Sequence, residues 1–173
     1  MAVEVVPADA DDVLTVVAIL GEASAWLRRR GILQWPERFP DDLLQRSVAS
    51  RELYLVLEDG EVAGTVTLQW SDPMFWGDRA NAGFIHRLAI SRSHAGIGRQ
   101  VIAWAEREAR ANGREYLCLD TLSSNTGLRG YYEELGFAPV GVVSGPVGHP
   151  HTDAHGHWEA TLYEKPLAVE TAR

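Results

Sequence analysis

The apolar positions of this chain change period along its length, and the changes mark out strands and helices. Val3-Glu4-Val5-Val6 reads as a short strand ended by Pro7. Asp9 and Asp11 suit an N-cap and first turn, after which Val13, Val16, Val17, Leu20 and Leu27 recur at helical spacing. Arg28-Arg29-Arg30 fills the last turn as a solvated end, and Gly31 stops it. Residues 32–40 form a loop carrying Gln34, Trp35, Pro36 and Phe39, and Pro40-Asp41-Asp42 opens a second short helix to about Ser50. Residues 52–58 place Leu53, Leu55 and Leu57 on one strand face. Asp59-Gly60 is a hairpin turn, and 61–70 returns as its partner strand.

A loop over 71–81 leads to a strand at 82–90. The helix that follows sets Val101, Ile102, Ala105 and Ala109 on one face and ends at Asn112-Gly113. A strand at 115–120, a helix at 126–135 closed by Gly136, and a strand at 137–143 come next. A Gly/His/Pro-rich loop over 144–156 precedes a last strand at 157–163. The hairpin is antiparallel, and 82–120 is a strand–helix–strand unit of the kind that forms a parallel crossover. The expected fold class is α/β, with a mixed, mostly antiparallel central sheet, helices on both faces and a single domain over residues 1–173.

Composition narrows the function. The chain has 173 residues, 46% of them hydrophobic, enough for a sizeable core of its own. Against 16 Lys and Arg stand 24 Asp and Glu, a net charge of −8. That balance argues against nucleic acid or an anionic membrane as partner and is compatible with an amine substrate. The single cysteine, Cys118, excludes an internal disulfide and sits between Leu117 and Leu119 as a buried structural thiol. With no signal-like opening and no apolar run of membrane-spanning length, the expected compartment is the cytoplasm.

The chemistry concentrates after the strand at 82–90. Leu88-Ala89-Ile90 runs into Ser91-Arg92-Ser93-His94-Ala95-Gly96-Ile97-Gly98-Arg99 and then into a helix. A strand-to-helix turn of this kind leaves the first helical N–H groups unpaired and, with the helix dipole, forms an anion site suited to a pyrophosphate. Gly96 and Gly98 lack a Cβ and allow close approach. A Gly-x-Gly by itself also fits an ordinary strand-to-helix turn, and neither a Walker-type loop nor a third glycine is present.

A second segment, Asn125-Thr126-Gly127-Leu128-Arg129-Gly130-Tyr131-Tyr132-Glu133-Glu134-Leu135-Gly136-Phe137, follows one strand later. Taken together, the two motifs and the element order resemble the GNAT superfamily of acyl-CoA-dependent N-acetyltransferases over nearly the whole chain. One departure is Ser93, which stands where that family usually carries Arg or Gln. Phosphate recognition then falls to backbone N–H groups, with Arg92 or Arg99 left to supply a side chain.

The resemblance implies direct acetyl transfer from acetyl-CoA to a primary amine of a small molecule or peptide, with no metal required. It implies that Leu88, Ala89 and Ile90 guide the pantetheine arm and that Ala95, Gly96, Ile97, Gly98 and Arg99 cradle the pyrophosphate. Asn125 would hydrogen-bond the arm, although its side chain equally suits a helix N-cap. Tyr132, chosen over Tyr131 by the family register, would protonate or hydrogen-bond the departing sulfur. The family position that holds a glutamate in some members is Phe84 here, which cannot act as a base. His86, two residues on and sharing its strand face with Phe84 and Leu88, is one candidate base; Asp120 is the other, and a water relay is a third arrangement.

The aromatic residues Trp35, Phe39 and Trp76 are the acceptor-side candidates, with Trp70 and Phe75 as further aromatic surface. His149, His151, Asp153, His155 and His157 invite zinc or nickel, but their spacing matches no structural zinc pattern, and an acceptor-side loop is the preferred reading. Acetyl-CoA and an amine are the expected partners, and a homodimer is the family-level expectation. The alternative function is an acyl-CoA-binding sensor or interaction module on the same fold, without turnover.

Overall fold

A computed structural model describes residues 2–145 and 158–168. The alternating segments form seven strands: β1 (Val3–Pro7), β2 (Leu53–Glu58), β3 (Glu61–Gln69), β4 (Ala82–Ile90), β5 (Tyr116–Leu122), β6 (Ala138–Gly145) and β7 (Trp158–Pro166). They make one sheet in the order β1-β2-β3-β4-β5-β7-β6. Every neighbouring pair is antiparallel except β4 and β5. Five helices join them: α1 (Val13–Arg28), α2 (Asp41–Ala49), α3 (Pro73–Trp76), α4 (Gly98–Ala111) and α5 (Thr126–Glu134).

The helical stripes explain how the sheet is covered. Val101, Ile102, Ala105 and Ala109 of α4 and Tyr132 of α5 bury with Val56, Val66, Leu68, Ile85 and Leu119 on one face. Val13, Val16, Val17 and Leu20 of α1 and Leu44 of α2 bury with Leu53, Leu55 and Ala89 on the other. A capping box between Asp9 and Asp12 starts the first of these helical segments. The last strand runs to Pro166 rather than ending at 163, and α3 lies inside the stretch read as a loop.

At the C-terminus of α1, Arg29 and Arg30 are exposed as a solvated helix end requires, but Arg28 is drawn into the structure. The Arg28 Nη2 donates to the Trp35 carbonyl at 3.0 Å, and the Ser24 hydroxyl donates to the Pro36 carbonyl at 2.7 Å. These two bonds pin the loop carrying Gln34, Trp35 and Phe39 to α1. Arg30 stacks on Trp26, 3.8 Å from the ring centre.

Two irregularities in β4 shape everything that follows. Its pairing with β5 covers only Ala82 to Ile85, opposite Tyr116 to Leu119, after which the strands part. Its pairing with β3 skips a residue, since Thr67 faces His86 while Thr65 faces Ala89. Arg87 occupies this bulge with φ 50°, a left-handed conformation that is costly for a residue with a Cβ. The bulge breaks the alternation: Leu88 packs with the α4-side core and no longer shares a face with Phe84 and His86. No helix among the described residues is long and apolar enough to cross a membrane.

Candidate active site

The turn after β4 tightens into a one-turn 3-10 segment over Arg92–His94 before α4 begins. Among the described residues, the N–H groups of Gly96, Ile97, Gly98 and Arg99 find no acceptor within the protein, whereas Ala95, expected to share in the cradle, donates its N–H to the Arg92 carbonyl at 3.4 Å and closes the 3-10 turn. Four successive free donors at a helix start are a geometry that can hold an anion. The glycines serve it differently. Gly96 has φ +107° and open space around it, so the backbone itself requires glycine there. At Gly98, a Cβ would lie 2.7 Å from the Tyr131 hydroxyl, so the space is already taken by that side chain. Neither nearby arginine points an unpaired charge at the cradle. Arg92 stacks on Trp26 at 4.8 Å, and Arg99 pairs with Glu134 at 3.2 Å.

Beside the cradle, the parting of β4 from β5 leaves the β5-facing edge of Leu88, Ala89 and Ile90 without a strand partner. The gap opens onto a cavity of ≈ 700 Å³. Tyr132, His86 and Asp120 all line it, so the split sheet brings these three sequence-predicted residues to one space. Trp35 and Phe39 line it as well, their rings edge to face at 5.9 Å. Trp76 does not; it packs on Phe84 and Arg79, and its neighbour Phe75 faces the cavity instead.

Asn125 is buried, and its side chain is already engaged. Its Oδ1 caps α5 by accepting from the Leu128 N–H at 3.2 Å, and its Nδ2 donates to the Gln34 Oε1 at 2.8 Å. The Thr121 hydroxyl donates to the same Gln34 oxygen at 3.2 Å. Asn125 thus ties the loop after α1 to α5, and one of its amide hydrogens is not spent on these bonds.

His86 sits between two carboxylates. Its Nε2 lies 3.2 Å from Asp72 Oδ2 and its Nδ1 lies 3.7 Å from Asp120 Oδ1. Neither approach is aligned as a hydrogen bond, and all three of His86 Nε2, Asp72 Oδ2 and Asp120 Oδ1 are buried without one. Burial raises the Asp120 carboxyl to about 6; His86 pulls it down and Asp72 pushes it up by smaller amounts. The three donor sets lie within 4.8 Å of one another, close enough to hold a divalent cation or to pass a proton. Sequence reasoning missed Asp72. Its signal was the Asp72-Pro73 pair, an N-cap followed by proline at the first helical position, and the carboxylate does cap α3 through the Phe75 N–H at 3.3 Å.

The Tyr132 hydroxyl has no hydrogen-bond partner among the described residues. Burial, with Tyr131 and Asp120 adding, pushes its pKa well above the ordinary phenol value, so it stays protonated. Cys118, whose thiol burial drives up to about 12, packs with Ala82 and Phe84. It is the structural thiol its apolar neighbours imply. The histidine segment 149–157 lies outside the described residues.

The sequence profile of the Acetyltransferase (GNAT) family matches residues 20–137, which span the cradle, the split strands and the Tyr132 helix. The chain belongs to this family. GNAT relatives extend the match to nearly the full length. The Bacillus subtilis (strain 168) protein named as the uncharacterized N-acetyltransferase YesJ is 28% identical over 176 residues, covering 95% of this chain and 90% of its own. A GNAT-family acetyltransferase of Listeria monocytogenes superposes with TM-score 0.73 at 24% identity, covering 95% of both chains. A putative acetyltransferase, yncA, from Salmonella typhimurium was solved with its cofactor acetyl-CoA. It superposes with TM-score 0.70 at 20% identity, over 100% of this chain and 98% of that one. The protein is therefore an acetyltransferase by family, with the GNAT sheet and its strand split.

Proposed function

We propose that this GNAT protein transfers the acetyl group of acetyl-CoA directly to the primary amine of a small acceptor. The observation that carries the proposal is the split between β4 and β5, where one cavity collects Tyr132, His86 and Asp120 next to four unspent N–H groups. Gly96 to Arg99 fit a pyrophosphate because their donors are free and Gly96 presents no side chain. The open edge of Leu88 to Ile90 fits an amide-bearing arm that adds itself as a strand. The acetyl donor supplies a thioester; the remaining chemistry falls to this chain.

The acceptor enters from the cavity side, past Trp35 and Phe39. Its ammonium must lose a proton before nitrogen can attack. Asp120, with its carboxyl near 6, is ionised yet basic enough to accept that proton at neutral pH, with the His86 Nδ1 3.7 Å away. Asp72 lies on the far side of the ring, its Oδ2 3.2 Å from the His86 Nε2. On the opposite flank, the Tyr132 hydroxyl has no competing partner and meets the leaving sulfur. A phenol of raised pKa is a weak acid, but a thiolate set free in the same buried space is disfavoured too, as the raised Cys118 thiol illustrates. The proton therefore moves between two groups that burial has shifted in the same direction.

The test is acceptor-dependent release of free thiol from acetyl-CoA across a panel of amines. Release supports the transferase. Acetyl-CoA binding without release across a broad panel points to the sensor or interaction module, and absence of acetyl-CoA binding removes the cradle assignment altogether.

A further inference from the structure

Arg87 has no role in the chemistry above, yet it occupies the most strained position of β4. Its φ of 50° is one of three left-handed non-glycine conformations among the described residues, and the other two, Arg51 and Asp59, lie in turns. A bulged residue held in the left-handed region is maintained by its surroundings, and such outliers gather at binding sites. The bulge has a geometric effect. It puts His86 and Arg87, neighbours in sequence, on the wall of the same cavity.

The partners of the Arg87 guanidinium are all neutral. Its Nε donates to the Thr67 hydroxyl at 3.3 Å, and its Nη2 donates to the Ser47 hydroxyl at 3.2 Å. Ser47 in turn donates to the Leu43 carbonyl at 3.2 Å, so its hydroxyl oxygen is oriented to accept from the guanidinium. A guanidinium has five N–H donors, and the remaining three are unspent. No carboxylate among the described residues comes within ion-pair distance. Glu52 contributes a favourable field from farther off, but its Oε2 accepts from the Gln69 amide at 2.9 Å. Burial lowers the guanidinium's pKa, and Glu52 raises it by a smaller amount. The other arginine on this wall, Arg46, is paired with Asp42 at 2.8 Å.

The geometry points to Arg87 as the carboxylate-binding group of the acceptor site, and so to an acceptor that is a small amine carrying a carboxylate, a free amino acid. This assignment rests on the transferase reading. In such a complex the amine lies toward Asp120 and His86 while the carboxylate takes the planar, two-pronged contact for which the guanidinium fork is built. Polyamines and aminoglycosides fit poorly, since they bring further positive charge against a guanidinium that no carboxylate pairs at contact distance among the described residues. Peptide N-termini also fit poorly, since their carboxylate is remote.

Thiol release from acetyl-CoA is measured for the proteinogenic L-amino acids, for their methyl esters and for their decarboxylated amines. At least one amino acid is expected to show kcat/KM about 100-fold above its own ester and amine. In Arg87→Gln that ratio is expected to collapse toward one, with Arg87→Lys retaining part of it. A second measurement avoids dependence on the variants: in the wild-type protein, the deaminated analogue of the preferred amino acid should inhibit competitively against the acceptor, and its methyl ester should not. Equal turnover of acids and esters, or preference for the decarboxylated amines, overturns the carboxylate assignment and leaves the transferase intact. Thiol release from no member of any set, with acetyl-CoA bound, removes the transferase reading and this inference with it.

Discussion

Tyr131 places its hydroxyl 2.7 Å from the point where a Cβ on Gly98 would stand. The second glycine of the cradle therefore has a packing reason as well as a ligand reason. Gly98→Ala is expected to push the Tyr131 side chain or the start of α4 aside, at about 1–2 kcal/mol. Acetyl-CoA affinity should fall by about tenfold. Removing the hydroxyl leaves the ring carbon Cζ at 3.7 Å, an ordinary contact. The double variant Gly98→Ala/Tyr131→Phe should thus recover most of the affinity, measured by calorimetric titration with CoA. If the double variant binds no better than Gly98→Ala alone, the clash is not the cause.

Tyr132 differs from its neighbour in facing the cavity with an unengaged hydroxyl. Tyr132→Phe removes one oxygen that makes no hydrogen bond to the protein, so the melting temperature should hardly move. Loss of a positioned acid should lower the transfer rate by about 100-fold or more, with CoA affinity little changed. A rate within threefold of wild type would remove Tyr132 as the acid.

The Asp120 carboxyl, raised by burial to about 6, makes two linked predictions. Activity as a function of pH should rise through an apparent pKa near 6 as the carboxylate ionises, and Asp120→Asn should abolish that limb together with most of the rate. Stability should run the other way. The folded carboxyl binds its proton more tightly than an unfolded Asp near about 3.9, so its contribution to folding is fully present below about 4 and is lost as pH rises through about 6. Melting temperatures of Asp120→Asn should accordingly lose this pH dependence and exceed those of wild type at pH 8. A wild-type profile flat in both activity and stability between pH 4 and 7 would contradict the shift.

The strand and helix periods were readable because burial on one face or both leaves a direct imprint on residue type. The stripe of Val101, Ile102, Ala105 and Ala109 became the buried face of α4, and the Asp59-Gly60 hairpin joined β2 to β3. The helix start with its free N–H groups and the cavity-lining Tyr132 were located from two local motifs. What could not be read was the β4 bulge, because nothing in His86-Arg87-Leu88 announces an extra residue. A strict period of two assigned Leu88 to the wrong face and gave Arg87 no part in the site. Asp72 and Phe75 were hidden for a related reason: a four-residue helix in an apparent loop leaves too short a pattern to reveal which of its aromatics turns inward.

Trp76 and Phe75 provide the sharpest contrast between sequence and structure. The Trp76 ring lies 5.9 Å from that of Phe84 and 5.2 Å from the Arg79 guanidinium, so its contacts are with the protein itself. Phe75 lines the cavity and meets Trp158 edge to face at 5.9 Å. Trp76→Ala should cost about 2 kcal/mol, a fall of roughly 4–8 °C in melting temperature, with the acceptor KM unchanged. Phe75→Ala should instead raise the acceptor KM by about tenfold at unchanged CoA affinity, because it removes part of the apolar wall beside the reacting amine. Steady-state kinetics with the preferred acceptor and a thermal melt on both variants separate the two roles. Should Trp76→Ala raise the acceptor KM while Phe75→Ala leaves it alone, the acceptor would have to contact Trp76 rather than the wall that Phe75 forms.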